Sequence, residues 1–205
     1  DAIIQTGDIL DDDAGHKEAE EFAGGVERLN EFGTVYYVEG NHGNKAASSA
    51  LTNQTSDAEF EHISQEGTHM EDDEQIMLCG LDEGGSLRVV IDRPHPIADV
   101  EIGVFHENLK EEGDGLSVSD VDTETGWDVY IVGHYHKASE FDHREVDTDS
   151  GESLTLYTGS VDGISKSKSY STWYDQDPSV WEIKVLDGTV ECTRHSLVPK
   201  IKQSR

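Results

Sequence analysis

The chain has 205 residues, with 44 Asp and Glu against 15 Lys and Arg, and a formal net charge of -29 at pH 7. The length suits one domain built around one core. The acids are spread among regular apolar runs, which excludes a disordered acidic tail as the source of the charge. We predict a single folded domain over 1–205 with an acidic surface.

The charge balance points to the solvent in which the protein works. Abundant carboxylates keep a surface hydrated in concentrated salt, and the salt screens their mutual repulsion. We therefore predict a halophilic source. An acidic surface normally argues against nucleic-acid binding, because phosphate contacts require Lys and Arg. In a salt-adapted protein that exclusion is weak, since the charge reflects the solvent rather than the partner.

Cysteine usage and hydropathy indicate the compartment. Cys79 and Cys192 make neither a disulfide framework nor a CxxC metal pair, and they read as buried, reduced thiols. No apolar run approaches the roughly 18 residues of a membrane span, and no secretory signal opens the chain. These features predict a soluble, cytoplasmic protein with no membrane partner.

The first third of the chain predicts a strand, a helix and a second strand. An apolar strand over 2–5 leads to a Gly-Asp turn, apolar residues recur at helical spacing over 15–32, and a second strand over 35–38 ends in a Gly-Asn-His turn. Such a unit places its two strands in parallel with a right-handed crossover. The first strand opens the chain abruptly, so we expect that something upstream is missing.

The remainder predicts further strands. Residues 44–74 are polar and read as part helix, part loop. Strands are predicted over 75–79, 87–91, 101–105, 129–132, 137–143, 153–160 and 179–196, the last with a tight turn at Asp187-Gly188. The overall prediction is a mixed α/β sandwich with parallel strands early and antiparallel strands late.

Polar side chains follow four of these strands. They are Asp8 after "IIQTG", Asn41 and His42 after "YYVEG", His106 after "IGVF", and His134 and His136 after "YIVG". Each alone is most simply a turn residue, a cap or a core histidine. The carboxyl ends of strands in an α/β sheet converge on one edge, so the ordered set predicts a site there. Carboxylate, amide and imidazole ligands suit Mn, Fe or Zn, and two such ions would clamp a phosphate and activate water.

This set resembles the calcineurin-like metallophosphoesterase family. The matching stretches are "TGD" at 6–8, "GNH" at 40–42, "VFHEN" at 104–108 and "GHYH" at 133–136. The resemblance implies a four-layer αββα sandwich with mixed sheets and two divalent metals, expected to be Mn, with Fe or Zn as alternatives. It implies the following roles: Asp8 bridges both metals, Asn41, His106 and His134 complete one shell, and His136 binds the other metal. His42 binds no metal and either protonates the leaving oxygen or stabilises the charge that builds on the phosphate.

Two departures from the family pattern stand out. The family opens with an aspartate and a histidine, one residue apart, at the end of a strand upstream of "GD", and no such D-x-H precedes Asp8. We therefore read the chain as N-terminally truncated and lacking its first strand. The second departure is Gly43, where the family usually has an acid that supports the metal ligands.

The substrate is less constrained than the chemistry. "LYTGSVDG" at 156–163 resembles the strand-then-"PGS" stretch of double-strand-break repair nucleases, with Thr158 in place of proline, although it also reads as a simple turn. We predict a Mn-dependent phosphodiesterase, a DNA repair exonuclease-like protein. The resemblance then implies a homodimer and an ATPase partner. The stretch "SKSKSYSTWY" at 165–174 either contacts nucleic acid or is a loop with a partly buried Trp.

Two alternatives stay open. One is a phosphodiesterase or phosphatase that acts on small molecules such as nucleotides and needs no long groove. The other belongs to a different class, a non-catalytic binding or regulatory module that has lost the first metal ligands.

Overall fold

A computed structural model describes a large part of the chain. The described residues are 1–10, 12–42, 51–53, 55, 58–63, 67–70, 73–82, 98–106, 127–134, 144–148, 151–158, 179–186 and 189–197. They contain one α-helix and eleven strands. Within these ranges, no helix is long and apolar enough to cross a membrane.

Helix α1 spans His16–Leu29 and buries one stripe of small residues, Ala19, Ala23 and Val26. This spacing of four and three residues is that of one helical face. At its start, the Gly15 backbone N–H donates to the Glu18 carboxylate at 3.0 Å, which satisfies a donor that the first turn leaves unpaired.

The helix ends earlier than the predicted 15–32, and Asn30 is the reason. Its amide Nδ2 donates to the Glu59 carbonyl at 2.9 Å, and its Oδ1 accepts from the Glu59 N–H at 3.0 Å. This two-way pairing engages the side chain with a distant backbone and caps the helix at Asn30. Residues 31–33 instead form the turn into the next strand.

A three-stranded parallel sheet holds the first polar strand ends. It consists of β1 (Ala2–Gln5), β2 (Thr34–Tyr37) and β3 (Phe60–His62), in the order β1-β2-β3. Both pairings are parallel, as the strand-helix-strand pattern predicted for β1 and β2. Helix α1 packs against β2. Asp8 and Asn41 therefore follow neighbouring strands of one sheet.

A six-stranded mixed sheet holds the other polar strand ends. Its members are β4 (Thr68–Met70), β5 (Asp73–Leu81), β6 (Val100–His106), β7 (Val129–Gly133), β8 (Arg144–Thr148) and β9 (Gly151–Tyr157). The order is β4-β5-β6-β7-β9-β8. The four central strands are parallel, and the two outer strands run antiparallel to their neighbours. The prediction of an α/β fold with mixed sheets is thus confirmed.

A hairpin completes the described elements. Strands β10 (Ser179–Leu186) and β11 (Thr189–Ser196) pair antiparallel around residues 187–188, as the Asp-Gly dipeptide predicted. The inward residues of this hairpin, which include Trp181 and Ile183, pack against the main core.

Two predictions about the elements are wrong in part. The 44–74 stretch was expected to be part helix and part loop; residues 51–53 are helical, but the stretch also contains β3 and β4, whose three residues each are too short to show a period. Antiparallel pairing is not confined to the later part, because β4 pairs antiparallel with β5 and the late strand β9 lies parallel to β7. Only the outer positions of the sheet are antiparallel. The strands predicted at 87–91 and 137–143 lie outside the described residues.

The main core lies between the two sheets and is built by period-two rows of side chains. Its buried members are Tyr36, Val38, Ile63, Ile76, Leu78, Val100, Ile102, Val104, Val129, Ile131 and Leu156. In β6, for example, Val100, Ile102 and Val104 face this core in alternation. The next residue of the same row is His106, so the core ends in a polar side chain at the carboxyl edge.

The two thiols are inert by environment. Cys79 is buried and Cys192 is half-buried, and both are free. Burial, with a smaller contribution from the Glu101 charge, raises the pKa of Cys79 to about 12, and burial raises that of Cys192 to about 11. Neither forms a thiolate near neutral pH, in agreement with the prediction that Cys79 is a core residue rather than a nucleophile.

Candidate metal centre

In one layer, the core-facing rows of three strands become polar and that of a fourth ends in glycine. The row of β1 continues from Ile4 to Thr6, that of β6 from Val104 to His106, that of β7 from Ile131 to Gly133 and that of β9 from Leu156 to Thr158. Because parallel strands end at one edge, this layer gathers side chains from both sheets. The polar residues of the site lie in this layer or directly beyond it.

Asp8 occupies a turn whose backbone is tightly held. The side chain of Gln5 brackets Gly7, donating to its carbonyl at 2.5 Å and accepting from its N–H at 2.7 Å. Gly7 has φ +95° and Asp8 has φ +50°. The turn lifts the Asp8 carboxylate out of the strand direction and toward the neighbouring strand end.

The turn after β2 meets this carboxylate at close range. The His42 backbone N–H donates to Asp8 Oδ1 at 2.9 Å. A Cβ on Gly40 would overlap both the backbone nitrogen and Oδ1 of Asp8. Glycine at this position is therefore what allows the two turns to approach, and it explains the "GNH" pattern in local steric terms.

Four side chains converge. His106 Nε2 lies 2.9 Å from Asn41 Oδ1, 3.2 Å from Asp8 Oδ2 and 3.1 Å from His134 Nδ1. His134 Nδ1 also lies 2.8 Å from Asn41 Oδ1. The ligand atoms of Asp8, His106 and His134 all fall within 4.8 Å of one another. Two of the four residues come from each sheet.

The tautomer of His106 determines which atoms of this cluster can donate a hydrogen bond and which can only accept one. Its ring is 2 % exposed, and Nδ1 lies 2.7 Å from the Thr6 carbonyl oxygen, which only accepts. Nδ1 therefore carries the proton, and in the neutral ring Nε2 presents a lone pair to the cluster. In that state the buried Asp8 Oδ2 has no hydrogen-bond donor. Asp8 Oδ2, Asn41 Oδ1 and His106 Nε2 are then acceptors that face one another and require a proton or a cation between them.

Either a proton or a metal ion meets that requirement. Burial raises the pKa of the Asp8 carboxyl, but the hydrogen bond with the His106 ring and that from the His42 N–H outweigh it, so the pKa lies below its ordinary value. A proton on His106 Nε2 gives that ion pair in the metal-free protein. A divalent cation would displace this proton and bind the same atoms, and the carboxylate, amide and imidazole set suits Mn, Fe or Zn.

Two members of the cluster have a left-handed backbone. Asp8 at φ +50° and His134 at φ +72° are the positive-φ residues other than glycine among those that the structure describes. This conformation costs free energy for a residue with a Cβ, and it persists where surrounding contacts impose it. Both residues therefore keep their ligand atoms aimed at the cluster at some cost in stability.

His42 lies beside the cluster and not in it. Its Nδ1 lies 3.2 Å from Asp12 Oδ2, and its side chain is 43 % exposed. The carboxylate can only accept, so Nδ1 donates and Nε2 is left to exchange a proton with a bound molecule. No sequence pattern marks Asp12 as a partner of His42, because the pairing depends on a tertiary contact.

A second polar group lies at the same edge. His62, at the end of β3, pairs with Asp82, just beyond β5, at 2.9 Å, and Asp82 also accepts from the Glu39 N–H at 2.6 Å. The hydrogen bond with Asp82 raises the pKa of His62. Burial raises the pKa of Asp82, but hydrogen bonds from His62 and Glu39 outweigh it and bring the pKa below its ordinary value. This group ties the two sheets together two residues before Asn41.

Most of the predicted site residues meet in the structure. Asp8, Asn41, His106 and His134 are brought together, and His42 lies beside them. His136, Gly43 and the 165–174 stretch lie outside the described residues. Asp12, Thr6 and Thr158 also contact this site; of these, the sequence drew attention to Thr158 alone, as a departure from a proline pattern.

Comparisons with known proteins give the fold. The chain is similar to a solved structure, TT1561 of Thermus thermophilus, with 13% sequence identity and a TM-score of 0.52 over 94% of this chain and 85% of that one. No family model matches the sequence, and no curated protein matches it significantly. At this identity the likeness shows the fold alone, and it agrees with the predicted α/β fold of the metallophosphoesterase type.

Proposed function

We propose that the chain is a metal-dependent phosphoesterase whose site is built on Asp8, Asn41, His106 and His134. The observation that carries the proposal is the convergence of acceptor atoms around His106 Nε2, including a buried carboxylate oxygen with no donor. Asn41 Oδ1, Asp8 Oδ2 and His134 Nδ1 all lie within 3.2 Å of His106 Nε2, an arrangement that a cation at its centre would stabilise. The resemblance of the ordered motifs supports the reaction class.

Divalent cations held there would supply charge to draw in a phosphate oxygen and would lower the pKa of an attacking water. Asp8 would bridge two ions, and His136 would serve the second, as the resemblance implies. The chain itself positions the ligands. Both sheets hold the ligand atoms in one layer, and burial fixes the His106 ring in a single orientation.

His42 is the proton donor in this proposal. Its backbone is fixed to Asp8 at 2.9 Å, so its ring cannot move far from the cluster. Asp12 accepts from Nδ1, and this contact orients Nε2. Protonation of the leaving oxygen from Nε2 would then complete the cleavage of the phosphoester bond.

A Mn²⁺ titration tests the site. Asp8→Asn should weaken Mn²⁺ binding by at least about tenfold, because one anionic ligand becomes neutral. Asp13→Asn, which alters an exposed acid nearby, is the matched control and should bind as the unchanged chain does. Equal affinity in all three proteins, measured calorimetrically, would refute the metal site.

A turnover measurement tests the chemistry. His42→Ala should bind Mn²⁺ as the unchanged chain does and hydrolyse an activated phosphodiester about 10² to 10⁴ times more slowly, the usual size of a general-acid contribution. Full activity of this variant would make His42 structural.

We further propose DNA as the substrate, with Mn²⁺ as the metal. The support is the resemblance of 156–163 to repair nucleases. The measurement is Mn²⁺-dependent release of nucleotides from end-labelled linear DNA in molar KCl, with His42→Ala as the control. Hydrolysis of small phosphodiesters without nucleotide release would favour the small-molecule alternative. Metal binding without any hydrolysis would favour the non-catalytic module.

A further inference from the structure

Two threonine hydroxyls from different sheets meet beneath the metal centre. Thr6 follows β1 in the three-stranded sheet, Thr158 follows β9 in the six-stranded sheet, and their Oγ1 atoms lie 2.9 Å apart. Thr158 Oγ1 also lies 3.4 Å from the Val132 carbonyl oxygen. A single direction satisfies both distances: Thr6 donates to Thr158, and Thr158 donates to Val132.

The backbone of Thr158 is fixed independently of its side chain. Its N–H donates to the Val132 carbonyl at 3.1 Å, which continues the pairing of β7 with β9 one residue past the strand. A proline has neither this N–H nor a hydroxyl. The residue that departs from the family pattern therefore makes two contacts that proline cannot make.

The Thr6 carbonyl is the group that these contacts hold. It accepts the Nδ1–H of His106 at 2.7 Å and thereby selects the tautomer with Nε2 facing the cluster. A Cβ on Gly133 would overlap this carbonyl, and a Cβ on Gly7 would overlap His106 Nδ1. The Thr6 peptide and the His106 ring are thus packed closely against Gly133 and Gly7. The hydrogen bond between the hydroxyls of Thr6 and Thr158 fixes Thr6 in the direction of β9.

We propose that Thr158 is a positioning residue for the metal centre: through Thr6 its hydroxyl holds the carbonyl that sets the tautomer and orientation of His106. The inference rests on the proposed metal site. It assigns to the hydroxyl of Thr158 a role that a turn residue at the end of a strand does not have.

The test compares Thr158→Val, which removes the hydroxyl at constant shape, with Thr158→Ser, which keeps it. Thr193→Val, at an exposed position of β11, is the matched control. Thr158→Val should weaken Mn²⁺ binding about fivefold, less than the loss of a direct supporting contact, because the Thr6 carbonyl itself remains. Thr158→Ser and Thr193→Val should stay within about twofold of the unchanged chain.

A second readout uses the metal-free protein. The ¹⁵N shifts of the two His106 ring nitrogens, recorded at alkaline pH, report the tautomer directly. Thr158→Val should lower the fraction protonated at Nδ1, and Thr158→Ser should restore it. Unchanged shifts and unchanged affinity in Thr158→Val would overturn the inference, even if its Tm falls, because the residue would then be structural only. Failure of the unchanged chain to bind Mn²⁺ would overturn the proposed function instead.

Discussion

Asp12 contacts the histidine beside the cluster, with its Oδ2 3.2 Å from Nδ1 of His42. The pair is solvent-exposed, so it contributes little to folding stability. Its effect is on orientation, because the His42 ring can otherwise rotate about its side-chain bonds. A carboxylate from the turn after β1 here supports the histidine that follows β2.

We predict that Asp12→Asn lowers turnover of a phosphodiester about tenfold, less than His42→Ala does, because the amide oxygen still accepts from Nδ1 but more weakly than the carboxylate and so orients the ring less firmly. The free energy of unfolding should change by less than about 0.5 kcal/mol. Steady-state kinetics with Asp13→Asn as the control check this. Equal turnover in the two variants would show that Asp12 does not act through His42.

Part of the candidate metal cluster was predictable from sequence, and its support was not. Asp8, Asn41, His106 and His134 each follow an apolar strand, and strands of one sheet end together, so periodicity predicts that Asp8 lies near Asn41 and that His106 lies near His134. That the two pairs meet depends on how the two sheets pack. The contacts of Asp12 with His42 and of Asp82 with His62 join residues 20 or more positions apart. Neither has a local pattern, because both depend on how separate turns pack.

Among the secondary-structure elements, glycines in the helix and in the sheet should respond in opposite ways to one substitution. A Cβ on Gly103 of β6 would overlap the indole of Trp127, whereas a Cβ on Gly24 of α1 would meet only the tip of Arg28 at 3.9 Å. Packing therefore requires glycine at position 103. Gly24 makes no such contact, and its main effect is to leave the unfolded chain less constrained.

We therefore predict that Gly103→Ala destabilises the protein by about 1–3 kcal/mol through overpacking. Gly24→Ala should stabilise it by about 0.5–1 kcal/mol. Urea denaturation followed by tryptophan fluorescence measures both. Stabilisation by Gly103→Ala would show that Trp127 does not pack on Gly103 as described.

The pair of His62 and Asp82 links the end of β3 to the end of β5 and should stabilise the fold only over a limited pH range. Because the pKa of His62 is raised in the folded protein, the pair adds to the free energy of unfolding. This contribution is complete below the unfolded pKa of 6.5 and is lost as pH rises through the folded pKa. The lowered pKa of Asp82 gives a stability contribution that is present above the unfolded pKa of 3.8 and is lost as pH falls through the folded pKa. The pair thus contributes most between these two pH values.

We predict that His62→Gln destabilises the protein at about pH 5.5 and has a smaller effect at about pH 9. The difference should not exceed about 1 kcal/mol, because His62 is partly exposed and solvent screens the pair. Urea titrations at both pH values check this, with Asp82→Asn and the double variant to isolate the coupling. Equal destabilisation at both pH values would contradict the assignment.

Short strands explain what the sequence missed at this scale. The strands β5, β6 and β7 show apolar runs and were expected, whereas β8, with the sequence REVDT, has no such run and was not. β3 and β4 have three residues each and take their place from neighbours, β3 beside β2 and β4 beside β5. Parallel pairing of β9 with β7 could not be inferred either, because alternation along a strand does not name its partner.

The whole molecule carries a formal charge of -29, and this repulsion opposes the compact state. We predict that Tm rises when KCl is increased from low to molar concentration, since the screening length falls from about 10 Å at 0.1 M to about 3 Å at 1 M. Thermal denaturation followed by circular dichroism measures the change. The gain should shrink at about pH 4, where many carboxylates are protonated. A Tm independent of KCl at neutral pH would contradict a salt-adapted surface.

The ligands of the proposed metal centre are divided equally between the two sheets. Asp8 and Asn41 come from one sheet, and His106 and His134 come from the other. Any separation of the two sheets at this edge would therefore lengthen the distances between ligand atoms on opposite sides of the seam where the sheets meet. By thermodynamic linkage, a bound cation and the closed seam stabilise each other by the same free energy. Saturation with metal would then slow hydrogen exchange of backbone amides near the seam far more than that of amides in the β10–β11 hairpin.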